Sequence, residues 1–363
     1  TLQEMKVGLR HAIQNGDVYL GNQYIELGIG SSGQFGAYAD ALPDGFYGRQ
    51  LGMTGISMAV DTDGYDSGQD LRCDISLPGS HAEGFVVGFD GESGPSATNF
   101  GESVVDDSSG SEAVTAKVVG KMGDGIKELT VQQVIVLTAE SYGIDVSVQI
   151  ANTGSETVTD VRYMRYTDPD NTKDLGGCYD TMQEVVGTVT TAGWAVVTAT
   201  SCTDCDEYGS CPDDQYDQLT GGKSLVFAYS STDPAAIVSF DFAGWTPTLW
   251  DYRLSSAGLP SKGDSKFGDD MVAIAFDRAT LLPGATWSFD YQISIGALPT
   301  TTSTTTTRCP IGYYSPDPAA VSCTRCIGGA VRRRRALSCT DCPAGYFDNA
   351  DLDECTQCVG GSS

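Results

Sequence analysis

Histidine is nearly absent from this sequence: His11 and His81 are the only two in 363 residues. A Ser-His-Asp or Cys-His nucleophilic site would have to use one of them, and neither has a Gly-x-Ser-x-Gly nucleophile nearby. No glycine-rich phosphate loop is present. No run of 18 apolar residues occurs, so no stretch reads as a membrane span. There is no Asn-x-Ser/Thr sequon, so any sugar would be O-linked. Basic residues are scarce, 21 Lys and Arg against 48 Asp and Glu, for a net charge of −27 and a pI near 4.1. Residues 308–363 carry six arginines and six acids and sum to zero, so the whole imbalance lies in residues 1–307. Such a surface repels nucleic acid and anionic lipid and favours divalent cations. Nucleic acid is excluded as a partner of the large segment.

Thr300-Thr301-Thr302-Ser303-Thr304-Thr305-Thr306-Thr307 divides the chain. Eight hydroxyl residues with no apolar member cannot join a packed core, and such tracts are typical of O-glycosylated stalks or of bare linkers. The expected domains are therefore an acidic body (1–299), a Thr/Ser linker (300–307) and a cysteine-rich tail (308–363). Twelve cysteines, seven of them in the tail, point to an oxidising compartment and an extracellular or cell-surface location. Thr1 in place of a Met fits a removed signal peptide or a cut boundary.

The body reads as all-β. Its apolar stretches are short, β-branched or aromatic, and bounded by turns, and many alternate, as in Ile144-Asp145-Val146-Ser147-Val148-Gln149-Ile150. More than a dozen such stretches require one enlarged β-sandwich or two fused ones. Leu2–Ile13 fits a helix or a strand. The strings Ile150–Val161 and Leu281–Phe289 resemble hairpin and last-strand segments of immunoglobulin-like domains of secreted proteins. That resemblance implies a sandwich and no activity.

Two acidic turns are the candidate metal sites. Asp61-Thr-Asp63-Gly-Tyr-Asp66-Ser-Gly-Gln-Asp70 follows an apolar strand, and alternate carboxylates on a glycine-containing turn can converge on calcium, which takes six to eight oxygens. It is no EF-hand, because Arg72 stands where the bidentate Glu is needed. Asp168-Pro-Asp170-Asn-Thr-Lys-Asp174 is the second turn, with Asp168, Asp170 and Asp174 as ligands. Self-capping turns account for both runs equally simply. The expected cofactor is calcium or none. Asp66-Ser67-Gly68 lacks the flanks and the second copy that an aspartic-protease dyad requires. A glycosidase carboxylate pair stays open, since its spacing is spatial. The chain is expected not to be an enzyme.

Cys202, Cys205 and Cys211 sit in a polar loop with no nearby histidine, which favours a disulfide-stapled loop over zinc. With Cys73 and Cys178 the body holds five cysteines, an odd number. In the tail, Cys309-Pro-Ile-Gly-Tyr-Tyr runs to Cys323-Thr-Arg-Cys326, and Cys339-Thr-Asp-Cys342-Pro-Ala-Gly-Tyr-Phe runs to Cys355-Thr-Gln-Cys358. The two units repeat at a period of about 33 residues and resemble the ephrin-receptor-like and TNF-receptor-like cysteine-rich modules. The resemblance implies a rod of disulfide-stapled loops; alternating pairing would join Cys309–Cys323, Cys326–Cys339 and Cys342–Cys355 and leave Cys358 over. A zinc site is the rival. Arg332, Arg333, Arg334 and Arg335 form a processing site, an interface for the acidic body of a neighbouring copy in a head-to-tail polymer, or a solvated loop.

Together these features describe a secreted structural glycoprotein that assembles with copies of itself into a fibril, hair or surface coat. The alternative is a calcium-dependent adhesin or carbohydrate-binding protein with glycans as partners.

Overall fold

A computed structural model describes residues 8–37, 41–48, 55–65, 70–78, 83–90, 104–107, 113–201, 224–240, 259–296 and six short strands beyond them. It divides into two compact units, Thr1–Leu298 and Pro299–Ser363. The fold is all-β, as expected.

The first sheet joins β1 (Arg10–Gln14), β2 (Asp17–Gly21), β3 (Ile25–Ile29), β4 (Met58–Val60) and β5 (Cys73–Asp74) in chain order, every pair antiparallel. The Leu2–Ile13 segment therefore ends in a strand, and its first residues lie outside the described ones. The remaining strands of the body are β6 (Glu83–Gly88), β7 (Val104–Asp107), β8 (Ala113–Gly123), β9 (Glu128–Thr138), β10 (Gly143–Asn152), β11 (Val158–Thr167), β12 (Thr181–Gly187), β13 (Ala195–Ser201), β14 (Val226–Ser231), β15 (Ala236–Phe240), β16 (Ser265–Gly268), β17 (Val272–Leu281) and β18 (Thr286–Gly296). Nine form a sheet in the order β16-β12-β13-β14-β18-β10-β9-β8-β7, and four form another, β15-β17-β11-β6.

Alternation decides which faces are dry. In β10, Ile144, Val146, Val148 and Ile150 are buried while Asp145, Ser147 and Gln149 are exposed, the pattern of a strand with one wet face. The inward side chains of the nine-stranded sheet meet those of the four-stranded one in a single core. There Tyr163 of β11 lies 5.2 Å from Phe289 of β18, and Phe276 of β17 stacks on Phe289 at 4.1 Å. The other face of the four-stranded sheet is also covered: Val86, Met164, Tyr166, Met271, Ala273 and Ala275 form a second buried cluster. That double burial explains why β11 does not alternate.

One inward position of β9 is polar. Gln133 accepts hydrogen bonds from Tyr163 (2.9 Å) and from Nη1 of Arg165 (3.2 Å). Arg165, with no exposed surface, donates Nε to Glu83 at 2.6 Å, and its guanidinium lies 3.8 Å from the Phe35 ring centroid. The pair is held from three strands, β6, β9 and β11, while Nη2 of Arg165 is buried without a hydrogen-bond partner.

Gly28 in β3 is a point of close approach. A Cβ there would fall 2.3 Å from the Ile56 carbonyl oxygen and 2.8 Å from the Ala37 Cβ. Gly28→Ala should therefore force the backbone apart and lower stability by about 1–3 kcal/mol, read as a shift in the urea midpoint.

The second unit has three two-stranded antiparallel hairpins: β19 (Tyr313–Tyr314) with β20 (Thr324–Arg325), β21 (Ala330–Val331) with β22 (Thr340–Asp341), and β23 (Tyr346–Asn349) with β24 (Glu354–Gln357). Residues 300–307 and 332–335 lie outside the described residues, as do Cys309, Cys323, Cys326, Cys339, Cys342 and Cys358. Among the described residues no helix is long and apolar enough to cross a membrane.

Candidate metal centre

Sheet register builds an acidic site that no single stretch of sequence contains. β11 and β17 pair antiparallel, and the ladder ends at Thr167 opposite Val272. Asp168 and Asp170 follow the last paired residue of β11, and Asp269 precedes the first of β17. The Asp168, Asp170 and Asp269 carboxylates come within 4.8 Å of one another.

The loop that carries the first two is held rigidly. Asp170 N–H donates to the Ile75 carbonyl at 2.7 Å, and Asn171 Nδ2 donates to the carbonyls of Ala199 (2.8 Å) and Leu225 (2.9 Å). A 3-10 turn, Lys173–Leu175, follows and closes at Gly176 with φ of 90°, the left-handed region in which glycine is strain-free. On the opposite loop, Gln183 Nε2 donates to the carbonyls of Gly268 and Asp270, and Lys266 pairs with Asp270 at 2.7 Å. Asp270 is thereby engaged, and Asp269 faces the other two carboxyls.

Asp168 and Asp170 are each only 3% exposed, and Asp170 Oδ1 is buried without a hydrogen-bond partner. Burial, then the charges of Asp269 and Asp270, pushes Asp168 up to about 7. Burial, then Asp168 and Asp269, pushes Asp170 up to about 9. Asp269 is also raised, by burial and by Asp180 and Asp270. Three carboxyls compressed this way repel one another when ionised, and a divalent cation among them would remove that repulsion. The charge of Lys173 acts on Asp170 in the opposite sense, lowering it, and Lys173 Nζ lies 4.1 Å over the ring of Tyr179, which is 39% exposed.

The other expected ligands among the described residues do not join this cluster. Asp174 turns away to accept the Asp74 backbone N–H at 3.0 Å. Asp70 is bound by Arg72 through two hydrogen bonds, of 2.6 and 2.8 Å. Asp61 and Asp63 stay together, and Asp66 lies outside the described residues. Asp269 was not foreseen; the signal was the Asp269-Asp270 doublet at the head of an apolar strand. Of the body's cysteines, Cys73 is buried in β5 and Cys178 is disulfide-bonded. Cys202, Cys205 and Cys211 lie outside the described residues.

No protein-family model matches the chain, and no curated relative does. Among solved structures, it is similar to a galactose mutarotase-like protein from Lactobacillus casei (10% identity, 79% of this chain and 100% of that one, TM-score 0.38). It is similar to another such protein from Clostridium acetobutylicum (11%, 80% and 98%, TM-score 0.36). A third is a putative aldose 1-epimerase from Escherichia coli (11%, 80% and 99%, TM-score 0.31). These neighbours stand against the expectation of a structural, filament-forming glycoprotein and against the expectation that the chain is not an enzyme. At such identities and scores the likeness transfers no residue role and no activity to this chain.

Proposed function

We propose that the acidic body is a calcium-dependent carbohydrate-binding domain that works outside the cell. The observation that carries this reading is the orphaned oxygen of Asp170, buried among three converging carboxylates. A carboxylate oxygen kept dry and unpartnered is costly unless something positive meets it. A hard cation bound there has more coordination positions than three carboxylates fill. Vicinal sugar hydroxyls are suited to the remainder, and the Tyr179 ring, 39% exposed, offers a pyranose the face that Lys173 leaves uncovered. The disulfide at Cys178 fits an oxidising setting, where an affinity of about 10⁻⁴–10⁻³ M serves extracellular calcium modules.

Binding of the full chain to an immobilised glycan panel tests this. Retention should require calcium, vanish with chelator, and be lost in Asp170→Asn. Tyr179→Ala should weaken sugar binding at least tenfold while leaving calcium uptake unchanged. Retention that survives both chelation and Asp170→Asn would refute the reading.

A further inference from the structure

A different loop holds a second carboxyl pair. Asp61 is 2% exposed, its Oδ1 is buried without a hydrogen-bond partner, and its carboxyl is hydrogen-bonded to that of Asp63. The turn closes through Gly64 N–H to the Asp61 carbonyl at 3.1 Å, with Gly64 at φ of 103°. Asp61 N–H donates to the Tyr24 carbonyl (2.9 Å) and Tyr65 N–H to that of Gln23 (3.1 Å). From the β9–β10 turn, Tyr142 donates its hydroxyl to the Thr62 carbonyl (2.9 Å) and stacks on Tyr24 at 4.1 Å. The pair thus sits where the first sheet meets the nine-stranded one. The Tyr65 hydroxyl is also buried without a partner, and burial, then the charges of Glu26 and Asp61, hold it protonated.

The surrounding charges cancel. Glu26 pairs with Arg10 at 2.9 Å and Asp70 with Arg72 at 2.6 Å. Asp61 and Asp63 add two negative charges to that balance, which one divalent cation neutralises.

We propose that Asp61 and Asp63, with the Tyr65 hydroxyl, hold a second calcium ion that clamps the first sheet to the β9–β10 turn. This site is built from other loops than the Asp168 site and stands without it.

Terbium, a calcium surrogate whose emission is sensitised by nearby tyrosine, is the probe. It is titrated into the full chain, into Asp61→Asn/Asp63→Asn and into Asp168→Asn/Asp170→Asn, each checked for native circular dichroism. The Asp61→Asn/Asp63→Asn chain should bind one fewer ion than the wild type and lose at least half of the sensitised emission. An equal number of ions bound by the folded variant overturns the proposal. Should that variant fail to fold, the Asp168→Asn/Asp170→Asn chain decides, because its Asp61 loop is intact. Sensitised binding that persists there and is lost in the further variant Asp63→Ser supports the site, and no tyrosine-sensitised binding overturns it. If the Asp168 reading alone is wrong, the Asp168→Asn/Asp170→Asn chain binds like the wild type while the Asp61→Asn/Asp63→Asn chain still loses one ion.

Discussion

Arg165→Met should cost about 3–5 kcal/mol of folding stability, the loss expected when one partner of a buried ion pair is removed. The substitution leaves Glu83 with no exposed side-chain surface and no guanidinium to face, while Gln133 loses a donor. Methionine fills most of the volume against Phe35, so the loss is electrostatic in origin and not a cavity effect. Glu83 also accepts the Phe35 backbone N–H at 2.5 Å. The second variant is therefore Glu83→Gln, which keeps an acceptor there and removes the charge. In Glu83→Gln/Arg165→Met at least half of the lost stability should return. Urea unfolding of the four chains gives the cycle. A loss below about 1 kcal/mol for Arg165→Met alone would contradict the assignment of this pair as the polar centre of the core.

The second large effect is a reversal of pH dependence by calcium. Asp168 and Asp170 titrate near 7 and 9 in the fold, against 3.8 ordinarily. Between about pH 4 and 9 the folded chain therefore holds more protons than the unfolded chain, and stability falls as pH rises through that window. From pH 5.5 to pH 9 in chelator the loss should be on the order of 6 kcal/mol, the two shifts taken together at the energy of a pKa unit. Asp70 and Asp90 are shifted the opposite way, Asp70 chiefly by its bond with Arg72, Asp90 by Lys127 and Thr159 against the opposing cost of burial. Their contribution is complete above the ordinary carboxylate range and does not enter this window. Millimolar calcium competes with the protons, so it should stabilise most at pH 9 and least at pH 5.5. Asp170→Asn separates the site from the general repulsion of a −27 chain. In chelator the variant should lose much less stability than the wild type on going to pH 9, and calcium should no longer restore it. Thermal melts at the two pH values, with calcium and with chelator, measure all of this.

What was legible in the sequence follows from how locally each feature is determined. Strands such as β10 and β18 show alternating burial that reads directly as one dry and one wet face. β11 could not be read in that way, because Tyr163 and Met164 are both buried, one on each face of its sheet. Arg165 and Gln133 are of residue types usually found at the surface, and it is their contact across the sheets that accompanies their burial. The metal centre divides similarly. Asp168 and Asp170 share a turn and were visible. Asp174 was misplaced, because a 3-10 turn intervenes and directs it to the Asp74 backbone. Asp269 needed the β11–β17 register, which no stretch of sequence contains. The filament reading came from composition, from the threonine tract and the cysteine spacing, and composition describes a setting more readily than an activity.

Diffraction from crystals of the full chain soaked in terbium, with anomalous differences recorded, tests the central claim directly. The account predicts a peak among Asp168, Asp170 and Asp269, about 2.3–2.6 Å from their oxygens, with Asp170 Oδ1 among the ligands. Well-ordered carboxyls at that position with no peak between them at millimolar terbium would contradict it.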